Sequence, residues 1–306
     1  MTKNQHVDQP TPETVAIIGV GVIGLAWARL ALKHGWDVRV FDVRPDVADV
    51  VQAEFGPDAG VTVATSLEDC VRGATFVQEN GPERLDVKRD TIGALVAGTD
   101  ASVVIATSSS SITASAISAD GVDGSRVLVG HPFNPPDLMP LVEVVPSPKT
   151  STSAVTRAVD VYRSLGRTPV VIGKEIAGFV ANRLQGVISR EARYLVQQGV
   201  VSPADLDTIL QNSLGLRWAT IGLFESNVLG GGPGGIRHLI SGVGATTGGI
   251  EYHAPATDPA SMETLIEQVE DTYGAGEQTY EALRERRDTR TRAVLAALAA
   301  CDDDAE

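Results

Sequence analysis

The chain has 306 residues, 43% hydrophobic and 21% charged, the proportions of an ordinary globular protein with room for two domains. Its formal net charge of −14 argues against a nucleic-acid partner, because phosphate binding calls for a basic face. No apolar run approaches the roughly 20 residues that span a bilayer, so no membrane segment is expected. Cys70 and Cys301 lie far apart and beside no metal-ligand spacing; no metal site and a reduced, cytoplasmic setting are expected.

Residues 1–13 are polar and proline-containing and are read as a disordered tail. Val15–Ile18 is a short apolar run that meets glycines at once, the pattern of a buried strand. Ile23, Ala26 and Leu30 then recur at helical spacing as far as His34, and Gly35 stops the helix. Val38–Asp42 is a second strand, followed by candidates at Val61–Ala64, Phe76–Gln78, Val103–Ala106, Val127–Gly130 and Leu141–Val145. Ser151–Leu165 reads as a helix and Val170–Ile172 as a last edge strand. Strands alternating with helices predict an α/β fold over 14–175, a doubly wound, mostly parallel, Rossmann-like sheet.

The pattern changes near Lys174–Gly178, where the domain boundary is placed. Phe179–Gln198 has apolar residues at helical spacing, and Ser202-Pro-Ala-Asp205 has the form of a helix cap with proline at the first position. An all-helical second domain is therefore expected over 176–300, ending in an acidic tail at 301–306. The segment Gly230–Gly235, with Gly242, Gly244, Gly248 and Gly249 beyond it, is too rich in glycine for regular structure. It reads either as a floppy linker or as a loop whose backbone approaches something closely.

Gly19-Val-Gly21-Val22-Ile23-Gly24 matches G-x-G-x-x-G at a strand-to-helix turn. The first glycine allows the tight turn, the second lets backbone approach a pyrophosphate, and the third lets helix and strand pack. Alone the motif is weak. Asp42, at the end of the second strand, supplies the carboxylate expected on a ribose hydroxyl and would repel a 2′-phosphate, so NAD is preferred to NADP. Arg44, two residues on, leaves NADP open. Downstream, Thr107–Ser111 reads as a polar loop or helix cap, except that one hydroxyl at a strand's carboxyl end would sit where such sheets bind ligands. His131 ends the next strand, and Glu143 follows across a proline-rich turn. A histidine held by a carboxylate beside a nicotinamide can take the proton from an alcohol while hydride leaves its carbon.

Taken together, the fingerprint, the Ser-rich turn, His131-Pro-Phe-Asn-Pro with Leu141-Val-Glu-Val-Val, and Gly178-Phe-Val-Ala-Asn-Arg-Leu resemble the 3-hydroxyacyl-CoA dehydrogenase superfamily over residues 14 to 245. The resemblance implies Ser110, His131, Glu143 and Asn182 as catalytic residues, and Glu79 and Lys88 near the cofactor or substrate. It also implies a homodimer formed through the helical domain. Where acyl-CoA enzymes carry a Gly-Pro-Phe-Glu-like stretch, this chain has Gly215-Leu-Arg-Trp-Ala-Thr-Ile-Gly222. That stretch is similar to the branch containing lambda-crystallin (L-gulonate 3-dehydrogenase) and carnitine 3-dehydrogenase, which act on free 3-hydroxy acids. Arg217 could grip a substrate carboxylate or form an inter-helix salt bridge, with the two readings equal on residues alone. Trp218, expected at the substrate, and Phe224 are candidates for a quaternary-ammonium cage or for the core.

The expected function is thus NAD-dependent oxidation of a small polar free 3-hydroxy acid. Two alternatives stand beside it: turnover of a short-chain CoA thioester, and a catalytically silent NAD-binding protein of crystallin or sensor type. A 6-phosphogluconate-like enzyme, with a lysine four residues before its asparagine, is opposed by Gly178 at that position.

Overall fold

The computed structural model describes residues 13–57, 59–118, 121–242 and 250–303. They form two compact units, divided between Arg183 and Leu184. In the first, strands β1 (Thr14–Ile18), β2 (Asp37–Phe41), β3 (Val61–Val63), β4 (Phe76–Glu79), β5 (Val104–Thr107), β6 (Val127–Pro132), β7 (Leu141–Pro146) and β8 (Thr168–Val171) make one sheet. The order is β3-β2-β1-β4-β5-β6-β7-β8, and only the β6–β7 pairing is antiparallel. The expected α/β sheet is therefore present.

Both faces of the sheet are covered, which is why its strands read as continuous apolar runs. Alternate residues point to opposite layers. Ile17, Phe76 and Val104 face one side with Trp27 and Leu30 of α1 (Val22–Lys33) and Tyr162 of α6 (Thr152–Ser164). Their neighbours Ile18, Val77 and Ile105 face the other, against Ile92 and Leu95 of α4 (Leu85–Gly98). Between these lie the shorter helices α2 (Val47–Phe55), α3 (Leu67–Val71) and α5 (Ala114–Ile117). The sheet reverses its winding between β1 and β4, which opens a crevice at their carboxyl ends.

The second unit begins within α7 (Ala181–Gln197). It continues with α8 (Pro203–Asn212), α9 (Leu214–Thr220), α10 (Leu223–Gly230), α11 (Gly235–Ser241), α12 (Pro259–Tyr273) and α13 (Glu277–Asp303). Ser202 caps α8, accepting from the Asp205 N–H, as its spacing predicts.

Gly230–Gly235 corrects an expectation. It is ordered: α10 ends at Gly230, Gly232–Gly234 forms a 3₁₀ turn, and α11 starts at Gly235. Gly232 and Gly235 take φ of 58° and 60°, and a Cβ on Gly231 would lie 1.8 Å from the Gly235 carbonyl oxygen. Glycine is used here so that the backbone can close on itself between two helices. Gly244, Gly248 and Gly249 lie outside the described residues, as do 1–12 of the N-terminal tail and 304–306 of the acidic end. Glu13 is held by Arg157 and Thr75, and α13 runs on through Cys301 to Asp303. Among the described residues, no helix is long and apolar enough to cross a membrane.

Candidate active site

The crevice beside the fingerprint is a cleft of ≈ 760 Å³ bordered by Gly19, Gly21, Asp42, Glu79, Gly81 and Thr91, among others. The three glycines do different work. Gly19 has φ +91° and lies so near the β4 end that a Cβ would stand 2.8 Å from the Asn80 carbonyl. A Cβ on Gly24 would meet the Gly19 carbonyl oxygen at 2.0 Å, so glycine there lets α1 seat on the turn. Gly21 caps α1 and has nothing within 4 Å of where a Cβ would be: this is open space in front of a helix N-terminus. Val22 and Ile23 form the first turn behind it. An anion such as a pyrophosphate fits that cradle. Asp42 accepts from the Val20 N–H at 2.7 Å through one oxygen and from the Arg44 N–H at 3.1 Å through the other, so β2 and the glycine turn are fixed together beside the cleft.

At the other end of the sheet edge, the antiparallel register sets His131 directly opposite Glu143. His131 Nδ1 lies 2.9 Å from Glu143 Oε2, with both side chains buried. An ionised carboxylate can only accept, so the imidazole proton belongs on Nδ1 and Nε2 carries the lone pair. The second Glu143 oxygen accepts from the backbone N–H of Val180 at 2.9 Å and of Ala181 at 3.1 Å. Those donors converge because Gly178 and Phe179 both take positive φ, 72° and 48°, turning the chain so that the start of α7 faces the carboxylate. A phenylalanine there is strained. Its ring is fully buried and packs 5.4 Å from His131, centroid to centroid. Burial pushes the Glu143 carboxyl up, but the bonds from His131 and the two backbone donors outweigh it and hold the group below its ordinary value.

Asn182, in the first turn of α7, donates to the Ser110 carbonyl at 3.0 Å and has its amide nitrogen 3.5 Å from His131 Nε2. Ser110 sits in the Ser-rich turn after β5. The neighbouring hydroxyls are committed. Ser108 donates to Asn80 at 2.7 Å; Ser109 and Ser111 bond Glu83 at 2.8 and 2.9 Å. The Ser110 hydroxyl has only a 3.4 Å contact with Glu83. The structure thus brings Ser110, His131, Glu143 and Asn182 together. Of the two readings of this run the polar loop is the one present, and the cap of the next helix is Thr113, two residues on.

Glu79 and Lys88 form a buried ion pair, 2.9 Å apart and each 1% exposed. The Lys88 ammonium also reaches the Gly81 carbonyl and the Thr107 hydroxyl, so it braces the strand ends behind the cleft rather than facing into it. Arg217 and Trp218 lie on α9 in the second unit; Arg217 is exposed and Trp218 is 37% exposed. Phe224, on α10, is 77% exposed, so neither aromatic is core within that unit. Sequence reasoning missed two contributors, Glu83 and the Gly178–Phe179 turn. Gly178, just ahead of a helix, was the one available signal for the turn.

A glycine cradle at a sheet's switch point and a carboxylate-held histidine on the same edge define a nicotinamide-dependent dehydrogenase. The comparisons with known proteins make this specific. The NAD-binding domain of 3-hydroxyacyl-CoA dehydrogenase matches residues 14–59 and 57–176, and that family's C-terminal domain matches 178–281. The chain belongs to the 3-hydroxyacyl-CoA dehydrogenase family, and it is an NAD-dependent 3-hydroxy acid dehydrogenase. It is 38% identical over 269 residues to an L-carnitine dehydrogenase of Streptomyces griseus subsp. griseus, covering 82% of this chain and 80% of that protein. A 3-hydroxyacyl-CoA dehydrogenase of Gibberella moniliformis is also 38% identical, over 305 residues and 93% and 94% of the two chains. Among solved structures, 5-formyl-3-hydroxy-2-methylpyridine 4-carboxylic acid 5-dehydrogenase, an NAD⁺-dependent dismutase, superposes with a TM-score of 0.76 at 27% identity, covering 94% of this chain and 99% of that one.

Proposed function

We propose that the protein oxidises a small, polar, free 3-hydroxy acid to the 3-oxo acid, with a carnitine-like substrate as the first candidate. The observation that carries the reading is the bonded set Glu143–His131–Asn182–Ser110, complete on one edge of the sheet. NAD, when bound, supplies the hydride acceptor. The protein's own residues do the rest. His131 Nε2 takes the hydroxyl proton, and Glu143 holds the tautomer and stabilises the imidazolium that forms. Ser110 Oγ and Asn182 Nδ2 hold the reacting oxygen, positioning the alcohol in oxidation and polarising the carbonyl in reduction.

Two features favour a free acid over a thioester. The guanidinium of Arg217 offers a planar fork for a carboxylate, a group that a thioester lacks. The net charge of −14 offers little to attract the phosphates of CoA. The Gibberella relative keeps the thioester as the competing reading. Homodimerisation through the helical unit is part of the same proposal. Among the described residues beyond Arg183, Val196 and Leu265 are the only buried hydrophobic side chains, while Ile209, Leu216, Phe224, Leu229 and Ile240 are exposed. So thin a core calls for a partner surface.

The test is NADH formation with L-carnitine, 3-hydroxybutyrate and L-gulonate, for the wild type and His131→Ala. The variant is expected to lose about 10²–10⁴-fold in kcat, the usual share of general-base catalysis, while still binding NADH. Near-normal turnover by that variant removes His131 from the mechanism, and NADH binding without turnover on any hydroxy acid favours a silent binder.

A further inference from the structure

The Ser-rich turn has no secondary structure to hold its shape, yet the reaction needs one of its hydroxyls placed to within a fraction of an ångström. Among the groups that hold it, one carboxylate from another part of the chain makes the most bonds. Glu83 lies in the loop between β4 and α4. Its Oε1 accepts from the backbone N–H of Ser110 at 3.0 Å and of Ser111 at 2.8 Å, with that of Ile112 at 3.4 Å. The hydroxyls of Ser109 and Ser111 add bonds of 2.8 and 2.9 Å to the same oxygen. The other oxygen stands 3.8 Å from the Lys88 ammonium, which is itself paired with Glu79 at the edge of the cofactor cleft. One buried cation therefore stands between the carboxylate of the serine turn and the carboxylate of the cleft.

We propose that Glu83 is a positioning residue for the reaction. It anchors the turn so that the Ser109 and Ser111 hydroxyls are occupied and the Ser110 hydroxyl is left to meet the substrate oxygen. Lys88 ties this anchor to Glu79, so the serine turn and the cofactor cleft are set by one charge network. The proposal rests on the assignment of Ser110 made above. An ionised carboxylate oxygen suits this work because it can accept several bonds at once, and those bonds are charge-assisted. Burial pushes the Glu83 carboxyl up, yet the bonds from Ser109 and Ser111 and the charge of Lys88 keep it below its ordinary value. The anchor is thus an anion at neutral pH.

Two measurements on the full-length protein test this. The first needs no substrate. Glu83→Gln should speed amide hydrogen exchange in the peptide spanning 107–113 by about ten-fold or more, with the rest of the sheet unchanged. Unchanged exchange there overturns the anchor whatever the substrate proves to be. The second is a double-mutant cycle with Ser110→Ala, using L-carnitine and NAD. Glu83→Gln alone should lower kcat about ten-fold and leave the KM for NAD within about two-fold. Added to Ser110→Ala it should cost less than about two-fold more, because the position it protects is already lost. Full additivity means that Glu83 acts on stability and not through Ser110, and it overturns the proposal. If Ser110→Ala leaves turnover intact, the serine assignment falls and the positioning role falls with it, while altered exchange would still show the anchor. Should Glu83→Gln fail to fold, Glu83→Asp serves. It keeps the charge but retracts the oxygens, and it should give a smaller kcat loss of the same non-additive kind; no loss contradicts the proposal.

Discussion

Glu143 divides its work between its two oxygens, one on His131 and one on the backbone at the start of α7. An amide cannot serve both. In Glu143→Gln the NH₂ must face either the imidazole Nδ1–H or two backbone N–H donors, so at least one bond is lost and the tautomer is no longer enforced. The variant should lose about 10²-fold or more in kcat with NADH affinity retained, read by fluorescence titration. Glu143 and Glu83 both have folded pKa values below their ordinary ones. Their contribution to stability is therefore complete above the unfolded value, near 4.3, and is lost as pH falls through the lower folded values. Thermal unfolding should show a steep loss below about pH 4 that is shallower in Glu83→Gln; an equally steep loss in the variant would place the acid sensitivity elsewhere. At this scale the sequence was legible where chemistry leaves a motif. Asp42, His131, Glu143 and Asn182 each sit in one. The role of Glu83 was not legible, because its partners lie 26 to 29 residues further on and only the parallel pairing of β4 with β5 brings them near. The positive φ of Phe179 likewise leaves no mark in residue type.

Among the elements, the strands were readable because both layers of the sheet are buried and apolar runs ended by turn residues follow directly. The order of the strands and the β6–β7 register were not, since pairing is set by packing across the chain. The glycine-rich stretch stayed undecided for a related reason: composition alone does not distinguish a loose segment from a backbone that must pass close to itself. Two substitutions test the packing account. Gly24→Ala puts a methyl 2.0 Å from the Gly19 carbonyl oxygen, and it should weaken NADH binding by about ten-fold or more by shifting α1 off the turn. Retained affinity would mean that the turn tolerates the displacement. Gly130→Ala puts a Cβ 1.9 Å from the Tyr162 hydroxyl, which is buried and bonded to Gln78 at 2.8 Å. Overpacking of this kind should cost about 1–3 kcal/mol in a denaturant titration, and no change would show that Tyr162 can swing aside.

For the molecule as a whole, the two units differ in self-sufficiency. The sheet unit buries almost all of the hydrophobic core, whereas the helical unit leaves Phe224 and Leu229 among its exposed apolar residues. If the helical unit pairs with a second copy, Phe224→Glu with Leu229→Glu should convert a dimer to a monomer in sedimentation equilibrium; a wild type already monomeric at micromolar concentration contradicts the pairing. The family was legible from joint motifs spread along the sequence, but the choice between free acid and thioester was not, because on residues alone Arg217 reads equally as a carboxylate fork and as an inter-helix salt bridge. The central claim is settled most directly by kcat/KM for NAD reduction, measured side by side on L-carnitine, 3-hydroxybutyrate and 3-hydroxybutyryl-CoA. A bidentate carboxylate contact is worth roughly 1.5–3 kcal/mol, so at least one free acid should exceed the thioester by about ten-fold or more. A thioester turned over far faster than either free acid would contradict the account.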